Sequence, residues 1–252
     1  MTEKKKKVRI DILLVERGLA PSRTRAQALL MAGKVFVGGQ RVDKPGTPVN
    51  PDSSVEITED LPYVGRGGIK LDGALAAFGV EVRGLAAVDV GSSTGGFTDC
   101  LLKRGARRVY AIDVGRGLLD AGLRADGRVT VMEGRNVRHM TPEDLPEKAD
   151  LAVVDVSFIS LEKVLPAVAG FVRPGALVLA LVKPQFEVGR REVGKGGIVR
   201  DPAKHAAVLE RIKGFCTDLG LEPIGSVESP IKGAKGNREF WLCLRTRQSR
   251  LP

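Results

Sequence analysis

The chain has 252 residues, 43% of them hydrophobic, enough to bury one full-sized core and a smaller satellite. Lys and Arg number 40 against 30 Asp and Glu; the net charge of +10 favours an anionic partner, nucleic acid or an acidic membrane surface. Cys100, Cys216 and Cys243 form no CxxC pair and sit in apolar surroundings. They read as buried thiols of a reducing compartment. Two His argue against an imidazole-based metal centre, so no metal is expected. No apolar run reaches the ~18 residues a membrane helix needs. The lysine-rich start lacks the apolar core and small-residue cleavage site of a secretory signal. A soluble, cytoplasmic protein is expected, with no membrane partner.

The positive charge is uneven. Residues 1–41 hold ten Lys and Arg against Glu3, Asp11 and Glu16. Lys4 to Lys7 read equally well as a solvated tail, but Arg23, Arg25, Lys34 and Arg41 lie inside a patterned segment. In chain order, 11–17 is a short helix stopped by Gly18. Ser22 caps a second helix, with Ala26, Leu29 and Leu30 at helical spacing and Gly33 as terminator. Residues 35–37 and 41–42, joined through Gly38-Gly39, read as a hairpin, and 54–58 as another strand. These make a small α+β domain over 8–60. A linker over 61–68 follows, where Pro62 and three glycines cluster.

From Ile69 apolar β-rich runs alternate with helical stretches over 69–246. Strands are expected at 85–90, 108–113, 129–133, 151–156 and 176–182, and helices at 70–78, 96–104, 161–171 and 202–219. This alternation predicts an α/β, Rossmann-like parallel sheet with helices on both faces. Strands at 223–227 and 239–244 close the domain, the last of them antiparallel.

The first of these strands runs into Asp89-Val90-Gly91-Ser92-Ser93-Thr94-Gly95-Gly96-Phe97. A glycine-rich turn at a strand's carboxyl end lets a ligand approach the backbone, at the crevice where open α/β sheets bind ligands. The glycine spacing is neither the dinucleotide G-x-G-x-x-G nor a Walker loop. Asp113 ends the next strand, where a carboxylate can accept both ribose hydroxyls of an adenosine. Asp89-x-Gly91 together with Asp113 is the general pattern of S-adenosylmethionine-binding folds. Asn136, after the third strand, is a candidate adenine contact. Alternatively, the glycines only make a tight turn and Asp113 caps a helix.

Four charged residues stand at element tips: Lys70 at a helix start, Asp155 and Lys183 after apolar strands, and Glu239 at the start of the last strand. Such residues have left the core and face the ligand crevice. Asp155 also reads as a strand-end cap, and Glu239 as a partner of Arg238. Phe158 and Phe186 either flank a target nucleotide or pack at strand ends. Lys195, Arg200 and 232–235 either grip nucleic acid or are solvated.

Several blocks in order resemble the TlyA family of S4-domain ribosomal RNA 2′-O-methyltransferases, historically labelled haemolysins. They are Tyr63-Val64-Gly65-Arg66-Gly67-Gly68-Ile69-Lys70-Leu71, 89–100, 155–161, Lys183-Pro184-Gln185-Phe186-Glu187, 194–201, Ser229-Pro230-Ile231 with Gly233, and Gly236-Asn237 with Glu239-Phe240. The likeness spans nearly everything after Lys7. It implies a class I methyltransferase domain, S-adenosylmethionine as methyl donor, and ribosomal RNA or ribosomal subunits as partner, with cytidine as acceptor. It also implies the tetrad Lys70, Asp155, Lys183 and Glu239, with Lys183 as base. The cofactor set becomes Asp89, Gly91, Ser92, Thr94, Gly95, Gly96, Phe97, Asp113 and Asn136. The N-terminal domain becomes an S4 domain presenting Arg9, Ser22, Arg23, Arg25, Lys34 and Arg41 to phosphates, with Arg66 added from the later block.

A ribose hydroxyl is a poor nucleophile until its proton is taken as it attacks the sulfonium methyl. An amine serves as that base once its pKa falls well below ~10.4, which burial and a neighbouring ammonium promote, while carboxylates orient it and oppose that shift. Two other classes compete with this reading. A non-catalytic RNA-binding assembly factor would not need the four polar residues intact. A pore-former would need a membrane span or a long amphipathic helix, and neither is evident.

Overall fold

The computed structural model describes residues 7–31, 34–57, 62–189, 192–194, 196–233 and 236–247, and only the backbone of Arg41. Gly33, residues 58–61, Lys195, Lys235 and the Arg41 side chain therefore lie outside the described residues. The chain forms two compact units, Met1–Leu61 and Pro62–Pro252.

In the first unit β1 (Val8–Arg9) pairs antiparallel with β4 (Pro48–Val49). Helices α1 (Ile10–Glu16) and α2 (Arg23–Met31) bury Ile10, Leu14, Ala26 and Leu30 against Val35. Ser22 Oγ accepts the Arg25 amide at 3.2 Å, capping α2 as its sequence suggests. Strands β2 (Val35–Val37), β3 (Gln40–Val42) and β5 (Val55–Ile57) make an antiparallel sheet in the order β3-β2-β5. Gly38 and Gly39 adopt φ of +56° and +79°, which the two-residue turn between β2 and β3 requires.

The second unit opens with α3 (Arg66–Ala77) and continues through β6 (Ala86–Val90), α4 (Gly96–Lys103), β7 (Arg108–Asp113), α5 (Ala121–Ala125), β8 (Val129–Glu133) and β9 (Ala149–Val154). It ends with α6 (Leu165–Phe171), β10 (Val172–Val182), α7 (Pro184–Glu187), α8 (Pro202–Asp218), β11 (Leu221–Glu228) and β12 (Phe240–Thr246). The seven strands are ordered β11-β12-β10-β9-β6-β7-β8. Strands β8, β7, β6, β9 and β10 are mutually parallel, while β12 runs antiparallel to both its neighbours.

Every residue of β6 is buried, as expected of a parallel strand covered on both faces. The pleat sorts its side chains by alternation. Val88 and Val90 join Ile112, Val154, Val178, Phe171 and Ile212 in one core, under α6 and α8. Ala87 joins Val109, Val153, Leu179 and Trp241 in the other, under Leu71 and Leu75 of α3 and Phe97 and Leu101 of α4. The chain leaves β6 toward β7 on one side and returns through β9 on the other. The crevice outside the carboxyl ends of β6 and β9 is therefore the topological switch point, where open α/β sheets bind ligands.

Two local expectations are revised. Arg66, Gly67 and Gly68, read as linker, form the first turn of α3, because these glycines let two backbones meet. A Cβ on Gly96 would lie 2.9 Å from the Gly68 nitrogen, and one on Gly68 would collide with the Tyr63 ring. The helix expected over 161–171 is broken into a 3₁₀ turn, Leu161–Lys163, and α6, with Pro166 in the first turn of the latter. Among the described residues no helix is long and apolar enough to cross a membrane.

Candidate active site

Two adjoining cavities open at the switch point. One, of about 250 Å3, is walled by Gly65–Gly67 and Lys70 of the α3 start, the β6–α4 turn, Asp155, Lys232 and Gly233. The other, of about 440 Å3, is walled by Gly91, Asp113, Asn136, Asp155, Val156, Ser157 and Phe158 among others. Gly91, Ser93 and Asp155 belong to both walls. The second volume is in the range of small-molecule sites, about 300–1,000 Å3, and the first lies just below it.

The turn after β6 has the close approach that its glycines imply. Gly91 adopts φ +87°, and a Cβ there would collide with the Asp155 carbonyl oxygen. Gly95 adopts φ +99° as it enters α4. Gly91, Ser92, Thr94, Gly96 and Phe97 all line the first cavity, whereas Gly95 lines neither. Ser92 is buried and its Oγ has no hydrogen-bond partner among the described residues, so a donor or acceptor on a bound molecule would satisfy it.

Asp113 lines the second cavity, its carboxylate already held by the amides of Ser93 (2.8 Å) and Gly115 (2.7 Å). That tether fixes the carboxylate while leaving lone pairs for ligand hydroxyls. Asn136 lines the same cavity, with its Oδ1 capping the following 3₁₀ turn through Arg138 N at 3.2 Å.

Asp89 lines neither cavity. The pleat that points Val88 and Val90 to one face points Asp89 to the other, where it is fully buried and accepts the Thr98 hydroxyl at 2.7 Å. Burial pushes its pKa up to about 7; the Thr98 hydrogen bond opposes this, and Asp155 and Asp113 add to it. Its hydrogen bond to Thr98 ties β6 to α4.

The four charged tips assemble as two ion pairs. Lys70 Nζ meets Glu239 Oε2 at 2.6 Å, joining residues 169 apart in sequence. Lys183 Nζ is ion-paired with Asp155, and donates to Ser157 Oγ at 3.0 Å. Lys70 and Asp155 reach the cavity wall; Glu239 (2% exposed) and Lys183 (8% exposed) stand directly behind them. Gly233 closes over Glu239, since a Cβ there would collide with its carboxylate. Such buried pairs hold their geometry because either partner alone would be a buried uncompensated charge.

Several contributors escaped the sequence reading. Glu133, ending β8, accepts the amides of Gly117, Leu118 and Leu119 at 2.8, 3.0 and 3.1 Å, and Arg124 at 2.8 Å. These contacts hold its carboxyl at about 2, Arg124 first and the amides next, and pin the loop after Asp113. An acid closing a strand beside the Asp113 strand was the available signal. Gly65 and Gly67 were read as linker yet wall the cavity. Phe158 was noted for its type, but not its conformation: φ is +63°, the side chain is 90% exposed, and its ring lies 4.8 Å from that of Phe186.

The expected RNA-contacting residues fall in both units. In the first, Arg9 and Arg23 converge on fully buried Asp11, at 3.0 and 2.9 Å, joined by Gln27 at 3.2 Å. The Arg9 contact leads in holding the Asp11 carboxyl well below the usual carboxylate range. Arg25 is exposed, Lys34 is half-buried, and Ser22 is the α2 cap. Arg66, in the second unit, donates to the Lys232 carbonyl at 3.0 Å. No group of three or more His, Cys, Asp or Glu among the described residues could hold a metal ion.

Comparison with known proteins identifies the families of both units. Residues 63–246 match the model of the FtsJ-like methyltransferase family, and residues 8–55 that of the S4 domain. YqxC of Bacillus subtilis is 49% identical over 95% of this chain and 86% of its own. The 16S/23S rRNA (cytidine-2′-O)-methyltransferase TlyA of Mycobacterium tuberculosis is 45% identical over 97% of this chain and 92% of its own. A solved structure from Streptococcus thermophilus, described as a hemolysin, superposes with a TM-score of 0.75 at 43% identity, covering 98% of this chain and 92% of that one. The chain belongs to the FtsJ-like methyltransferase family, in the TlyA-type branch that carries an S4 domain ahead of the catalytic sheet.

Proposed function

We propose that this chain transfers a methyl group from S-adenosylmethionine to the 2′-hydroxyl of a cytidine ribose in ribosomal RNA, with Lys183 as general base. The observation that carries the reading is the meeting of two lysine–carboxylate pairs, Lys183–Asp155 and Lys70–Glu239, at the crevice beside the Gly91–Gly96 turn. The ribosomal substrate is supported by the TlyA relative and by the S4 domain.

The residues present suit the methyl donor. The Gly91 cradle admits a backbone-hugging ligand, Asp113 offers acceptors for ribose hydroxyls, and the orphaned Ser92 hydroxyl awaits a partner. When bound, S-adenosylmethionine supplies an electrophilic sulfonium methyl. Asp155 and Ser157 hold Lys183, whose ammonium first releases a proton to solvent; the neutral amine then takes the 2′-hydroxyl proton as the oxygen attacks. Lys183 keeps that proton beside the Asp155 carboxylate, as the ribose oxygen gains the methyl and a neutral thioether is left. Lys70, anchored by Glu239, orients the ribose from the facing wall, so that reactants held in line avoid much of the entropic barrier. Phe158, propped on Phe186, offers its outer face to an unstacked base.

The test uses tritiated S-adenosylmethionine and ribosomal subunits from a strain deleted for the gene. Wild-type protein labels them at a cytidine ribose. Lys183→Ala lowers the rate by about 10²–10⁴-fold, the worth of a general base, with methyl-donor affinity retained. Normal labelling by that variant would remove Lys183 from the chemistry. A ribose-methylation map unchanged by deletion would leave an RNA-binding assembly factor.

A further inference from the structure

Ser157 stands two residues beyond Asp155, on the loop that leaves β9. Its Oγ accepts a hydrogen bond of 3.0 Å from Lys183 Nζ, and the same nitrogen is ion-paired with Asp155. Among the described residues these are the two polar partners of that amine. A tetrahedral nitrogen bonded to Cε has three further directions. One acceptor leaves two of them interchangeable by rotation about the Cε–Nζ bond; two acceptors leave one. A neutral amine whose N–H groups face Asp155 and Ser157 must present its lone pair along the remaining direction.

The arrangement is braced from the lysine's own side. Lys183 leads directly into α7, whose last residue, Glu187, accepts the Ser160 hydroxyl at 2.7 Å and the Leu161 amide at 2.8 Å. Arg211 binds the same carboxylate at 3.2 Å. Phe186 of α7 packs against Phe158 of the loop, the two rings tilted by 48°. The short segment that carries the amine thus grips the loop that carries Ser157 at two points. Phe158 lies within this braced loop with a φ of +63°, a conformation that is uncommon for a bulky residue.

We infer that Ser157 is a positioning residue for methyl transfer: its hydroxyl, acting with Asp155, fixes the direction of the Lys183 lone pair. The inference rests on Lys183 being the base. It assigns work to a hydroxyl outside the Lys-Asp-Lys-Glu set, by the geometry of the amine alone.

The experiment compares Ser157→Ala and Ser157→Thr with the full-length wild type. Single-turnover labelling of ribosomal subunits from the deletion strain is measured, together with calorimetric S-adenosylmethionine affinity and ¹³Cε-lysine NMR spectra of the donor-bound protein. Ser157→Ala should slow methyl transfer by about ten- to fiftyfold, part of what misaligned reactants lose. Donor affinity and KM for subunits should stay within about twofold, since the hydroxyl acts through the amine and not on ligand binding. Ser157→Thr should restore most of the rate. The Lys183 resonance, assigned by its loss in Lys183→Arg, should shift in the alanine variant and return in the threonine variant.

An alanine variant as fast as wild type would overturn the inference. So would a loss confined to KM or donor affinity, or a threonine variant no better than alanine. Full activity in Lys183→Ala would instead remove the base and this inference with it. Failure of Ser157 alone leaves the base in place.

Discussion

Replacing Asp89 by Asn removes a fully buried carboxyl whose Oδ1 has no hydrogen-bond partner among the described residues. Burial leads in pushing its pKa up to about 7, from an ordinary value of 3.8. Between those values the folded chain holds a proton that the unfolded chain has lost, so stability falls as pH rises. Above about pH 7 both states are ionised and the contribution is flat. A gap of about three pH units, at ~1.4 kcal/mol each, amounts to on the order of 4 kcal/mol over the whole window. The part between pH 5 and 8 is about 2–3 kcal/mol. Asn keeps the shape and an acceptor for Thr98, but sets an amide NH2 where Oδ1 was, costing about 1–3 kcal/mol at every pH. The assay is urea unfolding followed by fluorescence of Trp241, the single Trp of the chain, buried in the second unit. Wild type should lose about 2–3 kcal/mol more than Asp89→Asn between pH 5 and pH 8. Parallel curves, within about 0.5 kcal/mol, would mean that the carboxyl is ionised throughout and that its burial is compensated.

The crevice and the first unit invite three more perturbations. Gly91→Ala should cost about 2–4 kcal/mol, through its left-handed φ and a collision with the Asp155 carbonyl, and should lower S-adenosylmethionine affinity at least about tenfold. Thermal melts and calorimetry check both, and unchanged affinity would separate this turn from the donor. Glu133→Gln weakens the grip on three amides and Arg124, so donor affinity should fall about three- to tenfold with kcat retained; loss of kcat alone would speak against a role in binding. Asp11→Asn frees Arg9 and Arg23 from their shared carboxylate. Titration of ribosomal RNA against salt should show weaker binding with a slope shallower by about one to two, despite the gain in positive charge, and tighter binding would refute that reading.

Much of the second unit was legible because its parallel strands are covered on both faces. A strand with no solvent side must be apolar along its length, so its ends show as abrupt changes of composition. For the same reason Asp113 announced itself as the charge that closes β7, and Asp155 and Lys183 as the first charges beyond β9 and β10. The hairpin glycines and the Ser22 cap were legible because their requirements are local. The start of α3 was not. Gly67 and Gly68 read as linker, while their use is to admit Phe97 and Gly96 of another helix at close range.

Sequence alone thus determined the order of the main strands and helices, the glycine-rich turn and the identities of the four charged tips, because each follows from neighbours along the chain. The short β1, β4, α5 and α7 were not read from it. Only the tertiary structure decided the pairings: Lys70 with Glu239, Lys183 with both Asp155 and Ser157, and Glu133 with the loop after Asp113. It also turned Asp89 away from the cavities, through the pleat of β6. The physical reason is one of range. Burial patterns repeat every two to four residues and leave their mark on composition, whereas an ion pair across 169 residues of chain leaves none until the sheet brings its ends together.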